Sequence, residues 1–405
     1  MLYKTNKRRI ITVLVFFVLL FIRCWDIIPA MAIVQKILKH IDELFTLVLI
    51  AYVLIDYRFI GKEKNSLILA GLLFWLMGWV STIVFRYQPI VPTMIDALLI
   101  IDRFFVGYLA TVIFCNKHGK KSISQSILIW AKFITIFIFG LAVVDVVIGP
   151  IFPRGDYRLF MNGLQLFFPH ATYLAATTAT LLIYFGYMNS KHNDMLLYML
   201  MNTIVTFCTM RSKAMGFVLL YWMIYIFVFV LKNKHVMPMM LIGAFAAAVL
   251  GYQQIDDYFL NTDRFSPRSI MLKDGIALLW KHFPFGTGFG SYGASVAINY
   301  YSPLYVMLGY PENRGMSPED SSFLTDCFWP TVFAQFGFIG SCAFIVLIVM
   351  FLKLSIDKIK KNRNAGFAML ATLLYLLISS MAESSFFNPI AFLLMIMFAI
   401  YEKEK

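Results

Sequence analysis

Apolar runs of near-constant length recur along the whole chain, separated by short polar or basic stretches. A helix needs about 20 mostly apolar residues to cross the hydrocarbon core of a bilayer. Laid along the sequence, that ruler predicts about twelve spans, at 10–26, 38–57, 66–85, 94–115, 125–148, 169–188, 194–210, 214–231, 236–252, 327–352, 365–382 and 389–401. No polar half interrupts them, so residues 1–405 are expected to form a single all-α polytopic membrane domain. One connection is too long to be a mere linker, an external loop over 253–326 between the ninth and tenth spans.

Composition agrees with this pattern. The chain is 60% hydrophobic and 14% charged, against roughly 45–50% and 25% in soluble domains, which excludes a soluble globular enzyme. Its net charge of +13 would suggest nucleic acid as the partner of a soluble protein. Here the sign records topology instead, because basic residues gather on the cytoplasmic side of short loops. Twenty fall on the side of both termini, from Lys4 through Lys64 and Lys117 to the run Lys358–Lys361 and Lys403. Eight fall opposite in short loops (Arg23, Lys36, Lys39, Arg86, Arg154, Arg158, Arg211, Lys213), with five more in the long loop, where translocation largely ignores charge. The termini are therefore expected in the cytoplasm and the long loop outside. The patch Lys4–Arg9 ahead of Ile10–Ile22 lacks a small-residue cleavage site after it and reads as a first retained helix. Five scattered cysteines show no metal or disulfide spacing.

Charges inside spans are costly, at about 2.5–3.5 kcal/mol for a central Arg or Lys on insertion scales. Arg103 and Lys132 should therefore face the bundle interior and meet acids such as Asp96, Asp102 and Asp145. Structural pairing and a substrate path both remain open for them.

The long loop carries most of the candidate chemistry. Ser266-Pro267 suits the N-cap and first turn of a helix running to His282, expected at the membrane surface. Arg268 in its first turn, with Arg264 just before, makes a diphosphate site at a helix N-terminus, or else snorkels to phospholipid headgroups. Gly286–Gly293 reads as a flexible return, with no nucleotide expected there, since no strand precedes it. Tyr292, Tyr300, Tyr301, Tyr305 and Tyr310 can stack on sugar faces or anchor at the interface. Ser317-Pro318-Glu319-Asp320 repeats the helix-start signal before the tenth span, so Asp320 is either a cap or a general base, with Glu319, Asp326 and His282 as rivals. Arg211-Ser212-Lys213, squeezed between two short spans, can hold a guanidinium at headgroup depth.

These residues resemble the O-antigen polymerase and ligase superfamily of bacterial membrane proteins. The likeness lies in the late external loop, in Thr209-Met-Arg211-Ser-Lys-Ala214, in the stretch from Arg268 to Gly290, and in Asp320-Ser-Ser-Phe-Leu324 followed by Gly337-Phe-Ile-Gly340. Arg158 with Phe168-Pro-His170 is similar to an earlier motif in which Asn often follows the Pro. Lys213 stands where the family has glycine. Asp320 stands where the ligase branch has histidine, which favours a polymerase. The resemblance implies a metal-independent glycosyltransferase of the bacterial inner membrane without cofactor. It would join undecaprenyl-diphosphate-linked repeat units into a surface polysaccharide (capsule, exopolysaccharide or O-antigen), beside flippase and chain-length regulator proteins and with no nucleic acid partner. Arg211, Arg268 and Arg264 are then expected on the diphosphate, Asp320 as base, and Arg158, His282 and Arg314 as further substrate contacts. A flippase of lipid-linked oligosaccharides and an O-antigen-type ligase are the alternatives.

Overall fold

The computed structural model describes residues 41–118, 123–158, 161–189, 194–230, 266–326 and 328–404. The predicted spans over 10–26 and 236–252, and Arg264, lie outside the described residues. Within them the chain is mostly helical. Helices α1 (Ile41–Ile55), α2 (Asn65–Phe85), α3 (Ile90–Ile101) and α4 (Gly107–His118) come first, α3 and α4 being joined through a π-helical turn, Asp102–Val106. Then follow α5 (Ile123–Val147), a hairpin of β1 (Arg154–Arg158) and β2 (Met161–Leu164), α6 (Ala171–Met188), α7 (Met195–Cys208) and α8 (Ser212–Tyr225). The segment after residue 266 holds α9 (Pro267–Lys281) and the short α10 (Ser295–Asn299) and α11 (Pro303–Met307), before α12 (Trp329–Lys361), α13 (Arg363–Ser379) and α14 (Pro389–Lys403).

Five of these helical stretches are long and apolar enough to cross a membrane: Lys62–Phe85, Ile90–Lys117, Ile127–Val147, Ser212–Phe229 and Trp329–Lys361. Their outward faces are apolar, as at Phe338, Ile345, Val346 and Val349 on α12, which suits a membrane helix bundle with lipid around it. Helix ends carry their own stop signals. Asn362 and Asn388 accept backbone N–H bonds at the starts of α13 and α14, and α12 ends on Lys358, Lys360 and Lys361, where cations complement the dipole. The all-α expectation needs one amendment, the β1–β2 hairpin, paired antiparallel from Arg154↔Leu164 to Arg158↔Met161.

Among the described residues, Lys64, Lys117 and Lys358 lie at one end of the bundle. Lys64 pairs with Glu402 at 2.6 Å, Tyr108 donates to the same carboxylate at 2.6 Å, Lys358 donates to the Glu402 and Glu404 carbonyls, and Lys117 pairs with Asp56 at 2.7 Å. Lys132 finds an acid, Asp194 at 2.6 Å, but on a part-exposed flank and not in the interior. Asp145 pairs with Arg154 at 2.7 Å and accepts the N–H groups of Ile151 and Phe152, so it ties down the chain leaving α5. Asp102 and Arg103 are both buried in the π turn.

The glycine segment departs furthest from expectation. Gly286–Gly290 is buried, and is no flexible surface return. Helix α12 is broken at Gly337 (φ 62), which frees the Ala334 and Gln335 carbonyls to accept Thr287 N–H at 2.7 Å and Gly288 N–H at 3.0 Å. Ser81 and Thr82 on α2 accept the N–H groups of Gly286 and Phe289, and Asp96 on α3 accepts Gly290 N–H at 2.6 Å. Each backbone N–H from Gly286 to Gly290 thus has an acceptor supplied by another part of the chain.

Only glycine fits there. A Cβ on Gly288 (φ +90) would stand 2.5 Å from Thr82 Oγ1, and one on Gly337 would strike the Phe285 carbonyl. Gly288→Ala should lose about 3 kcal/mol, from a left-handed non-glycine conformation (about 1–2) and overpacking (about 1–3). The check is the thermal midpoint of the solubilised full-length chain beside Gly140→Ala, whose Cβ meets nothing within 4 Å. Equal midpoints would contradict the inserted loop.

The tyrosine-rich tail is also mostly interior. Tyr292, Tyr305 and Tyr310 are fully buried. Tyr292 and Tyr310 share a 2.6 Å hydroxyl contact, Tyr310 donates to Asp274 at 2.8 Å, and Tyr305 accepts Gly293 N–H at 2.7 Å. Burial pushes the Asp274 carboxyl up, with the Tyr310 hydrogen bond opposing. Their hydroxyls are used inside a small core of their own, so these three rings are not available to sugars. Tyr300 is the exposed one of the five.

Candidate functional site

The far end of the bundle collects a second charged group, built from four separate connections. The first is the turn between α7 and α8. Met210 takes a left-handed conformation (φ 52) and tucks inside, which leaves Arg211 as the extended residue immediately before α8. The second is the start of α6, where His170 is the N-cap and its Nδ1 accepts Thr172 N–H at 3.3 Å. Arg211 Nη2 lies 3.0 Å from His170 Nε2.

The β1–β2 hairpin covers this pair. A Cβ on Gly155 would stand 3.5 Å from Arg211 Nη2, and Asp156, 73% exposed, has a carboxylate oxygen 4.0 Å from Arg211 Nη1. In the first turn of α8, Lys213 pairs at 2.6 Å with Glu383 from the α13–α14 connection, both largely buried. The external loop supplies the rest. Arg268, in the first turn of α9, donates to Asp326 at 2.8 Å. Asp326 in turn acts electrostatically on both His170 and Lys213, and Ser384 Oγ donates to the neighbouring Thr325 carbonyl at 3.3 Å. Asp326 thus pairs with Arg268 and acts at longer range on Lys213 and on His170, which adjoins Arg211.

Such a cluster can neutralise an anion with more than one charge, since guanidinium groups hold phosphate oxygens in a fixed fork. The predicted residues divide accordingly. Arg211 stands beside His170, and Arg268 on Asp326. Arg158 ends β1, paired with Met161. Arg314 is exposed on the turn after Glu312.

His282, expected as a substrate contact or rival base, is engaged inside the protein. It is buried, Tyr87 Oη is 2.9 Å from its Nε2, the Leu278 carbonyl is 2.9 Å from its Nδ1, and burial lowers its imidazole below the usual range. Both ring nitrogens are occupied within the protein.

Asp320 is corrected as a cap of the tenth span. It is exposed in a loop, with its N–H on Ser317 Oγ and its carboxylate accepting Ser322 N–H, eight residues short of the helix phenylalanine-tryptophan start at Phe328-Trp329. Glu319 is likewise exposed. Sequence reasoning did not assign Glu383 or Asp156 to the site. Glu383 carries one signal, a lone acid between two apolar helices on the far side. Comparison with models of known protein families and with curated proteins finds no match.

Proposed function

We propose that the chain is a polymerase of lipid-linked oligosaccharide repeat units in the bacterial cell membrane, with about twelve spans, cytoplasmic termini and an external active site. What supports this reading is that Arg211 beside His170, Lys213 beside Glu383 and Arg268 beside Asp326 lie at the end of the bundle away from Lys64 and Glu402. Lipid-linked glycans present a diphosphate, and Arg211 and Arg268 are the guanidinium donors that would receive it by exchanging their present acids for phosphate oxygens.

In the reaction a hydroxyl of the acceptor glycan attacks the donor's anomeric carbon. The new glycosidic bond forms as the bond from that carbon to the diphosphate oxygen breaks. Arg211 and Arg268 take up the negative charge that develops on the leaving undecaprenyl diphosphate, and the hydroxyl proton passes to a carboxylate. We assign that role to Asp326, the carboxylate among the cations, in place of Asp320. Docking of the diphosphate on Arg268 frees Asp326 to accept the proton.

Deletion in the native host followed by a glycan ladder tests the reading. Single-repeat glycans are expected. Unflipped precursor held in the cytoplasm would point to a flippase, and long polymer not joined to its acceptor would point to a ligase. Orientation has its own check. Glu312→Cys should react with an impermeant thiol reagent on intact cells and Lys361→Cys should not. The opposite result would invert the topology.

A further inference from the structure

Asp96 is a carboxylate inside the bundle. It is 3% exposed in the second turn of α3, and its contacts are the Gly290 N–H at 2.6 Å and the Gln335 side chain. Among the described residues no Lys or Arg pairs with it. So short a hydrogen bond is typical of an ionised acceptor, and a charge this deeply buried has to be compensated.

Two more oxygens stand at the same place. Gln88 donates through Nε2 to the Gly290 carbonyl at 2.8 Å, and Gln335 through Nε2 to the Tyr292 carbonyl at 2.7 Å. Carbonyls only accept, so both amides are fixed with nitrogen on the loop and oxygen turned away from it. The two glutamines are 7% and 0% exposed, and neither Oε1 has a donor among the described residues. Gly290 (φ +67) links the group. Gln88 holds its carbonyl, Asp96 holds its N–H, and a Cβ there would stand 3.4 Å from the Pro92 carbonyl, one turn before Asp96.

Oxygens that only accept are satisfied by donors or by a cation. A proton on Asp96 supplies one O–H, enough for one glutamine oxygen. Water bridging the two amides leaves the carboxylate charge uncompensated. A cation satisfies all three oxygens at once. One carboxylate among neutral amide oxygens matches a single positive charge, and an all-oxygen set suits a hard ion without thiolate or imidazole ligands. Gln335 also lies two residues before the break of α12 at Gly337, and interrupted membrane helices are a setting in which such ions bind.

We propose that Asp96, Gln88 and Gln335 bind one alkali cation of the sodium type, which fastens the Gly286–Gly290 loop between α2, α3 and the break in α12. The site does not depend on the polymerase reading, and the ion takes no part in the chemistry assigned to Arg211, Arg268 and Asp326.

The test is binding of radioactive sodium to the full-length solubilised chain, with thermal midpoints in sodium, potassium or choline chloride at equal ionic strength. The wild type should bind sodium saturably and melt higher in sodium chloride than in choline chloride, the shift growing with concentration. Asp96→Asn keeps an oxygen for Gly290 N–H and carries no charge. It should lose both the binding and the salt dependence, yet melt in choline chloride at or above the wild type, which loss of a merely structural Asp96 would not do. Gln88→Met keeps the length without the amide and should bind about tenfold more weakly, which tests the site even where Asp96→Asn fails to fold. A potassium shift equal to that of sodium still supports an alkali site. Equal wild-type midpoints in the three salts, no saturable sodium binding, or wild-type binding by either variant overturns it. So does a protonated-carboxyl infrared band in sodium chloride that Asp96→Asn removes, since a proton would then compensate Asp96.

Discussion

Arg211→Ala and Arg268→Ala should each cut chain elongation by about 100- to 1000-fold while the protein remains inserted, the size expected when one preorganised donor is removed from a developing anion. Neither side chain supports the apolar core. Arg211 stands ahead of α8 with His170 and Asp156 as neighbours, and Arg268 lies part-exposed against Asp326. Lysine should rescue poorly at both positions, because an ammonium is a point charge without the planar fork. The double variant should fall well short of the product of the two losses, since the residues act on one leaving group. Glycan ladders normalised to protein in the membrane give the measurement. Normal ladders from both alanine variants would assign these arginines to phospholipid headgroups and remove them from the chemistry.

Much of the helical frame was legible because lipid imposes one simple demand, about 20 apolar residues per crossing, and the chain meets it repeatedly. The start of α9 was equally open to reading. Ser266 and Pro267 act within four residues of themselves, and the cap is found where the pattern predicts it. What the sequence hid depends on partners far along the chain. Gly286–Gly290 has the composition of a loose return, yet its donors are met by Ser81, Thr82 and Asp96, about 200 residues earlier, and by the break at Gly337. Tyr292 and Tyr310 carry no local sign that their hydroxyls meet each other. The hairpin escaped because β1 and β2 are only five and four residues long, too short for alternation to register. At Ser317-Pro318 the local signal was present and misleading, since the chain turns once and stays irregular to Phe328. For the site, charge type and membrane side pointed to Arg211 and Arg268, while Glu383 and His170 enter it only through the way α6, α8, α13 and α14 end together.

The choice between Asp326 and Asp320 as proton acceptor makes opposed demands on one pair of substitutions. Asp326→Asn keeps shape and a hydrogen-bond acceptor for Arg268 but cannot take up a proton at neutral pH. As a part-exposed ion pair, Asp326–Arg268 contributes at most about 1 kcal/mol to stability, so Asp326→Asn should fold and insert normally. As the base, it should elongate about 100-fold more slowly or worse. Asp320→Asn loses only a charge on a solvent-facing turn, where amide oxygen still accepts Ser322 N–H, and its ladders should match the wild type. A third measurement separates chemistry from positioning. If Asp326 served only to aim Arg268, Asp326→Asn would weaken binding of the lipid-linked donor along with the rate. Near-normal donor binding with lost elongation is expected. Full-length ladders from Asp326→Asn together with short ones from Asp320→Asn would return the proton to Asp320 and leave Asp326 as the partner that holds Arg268 between turnovers.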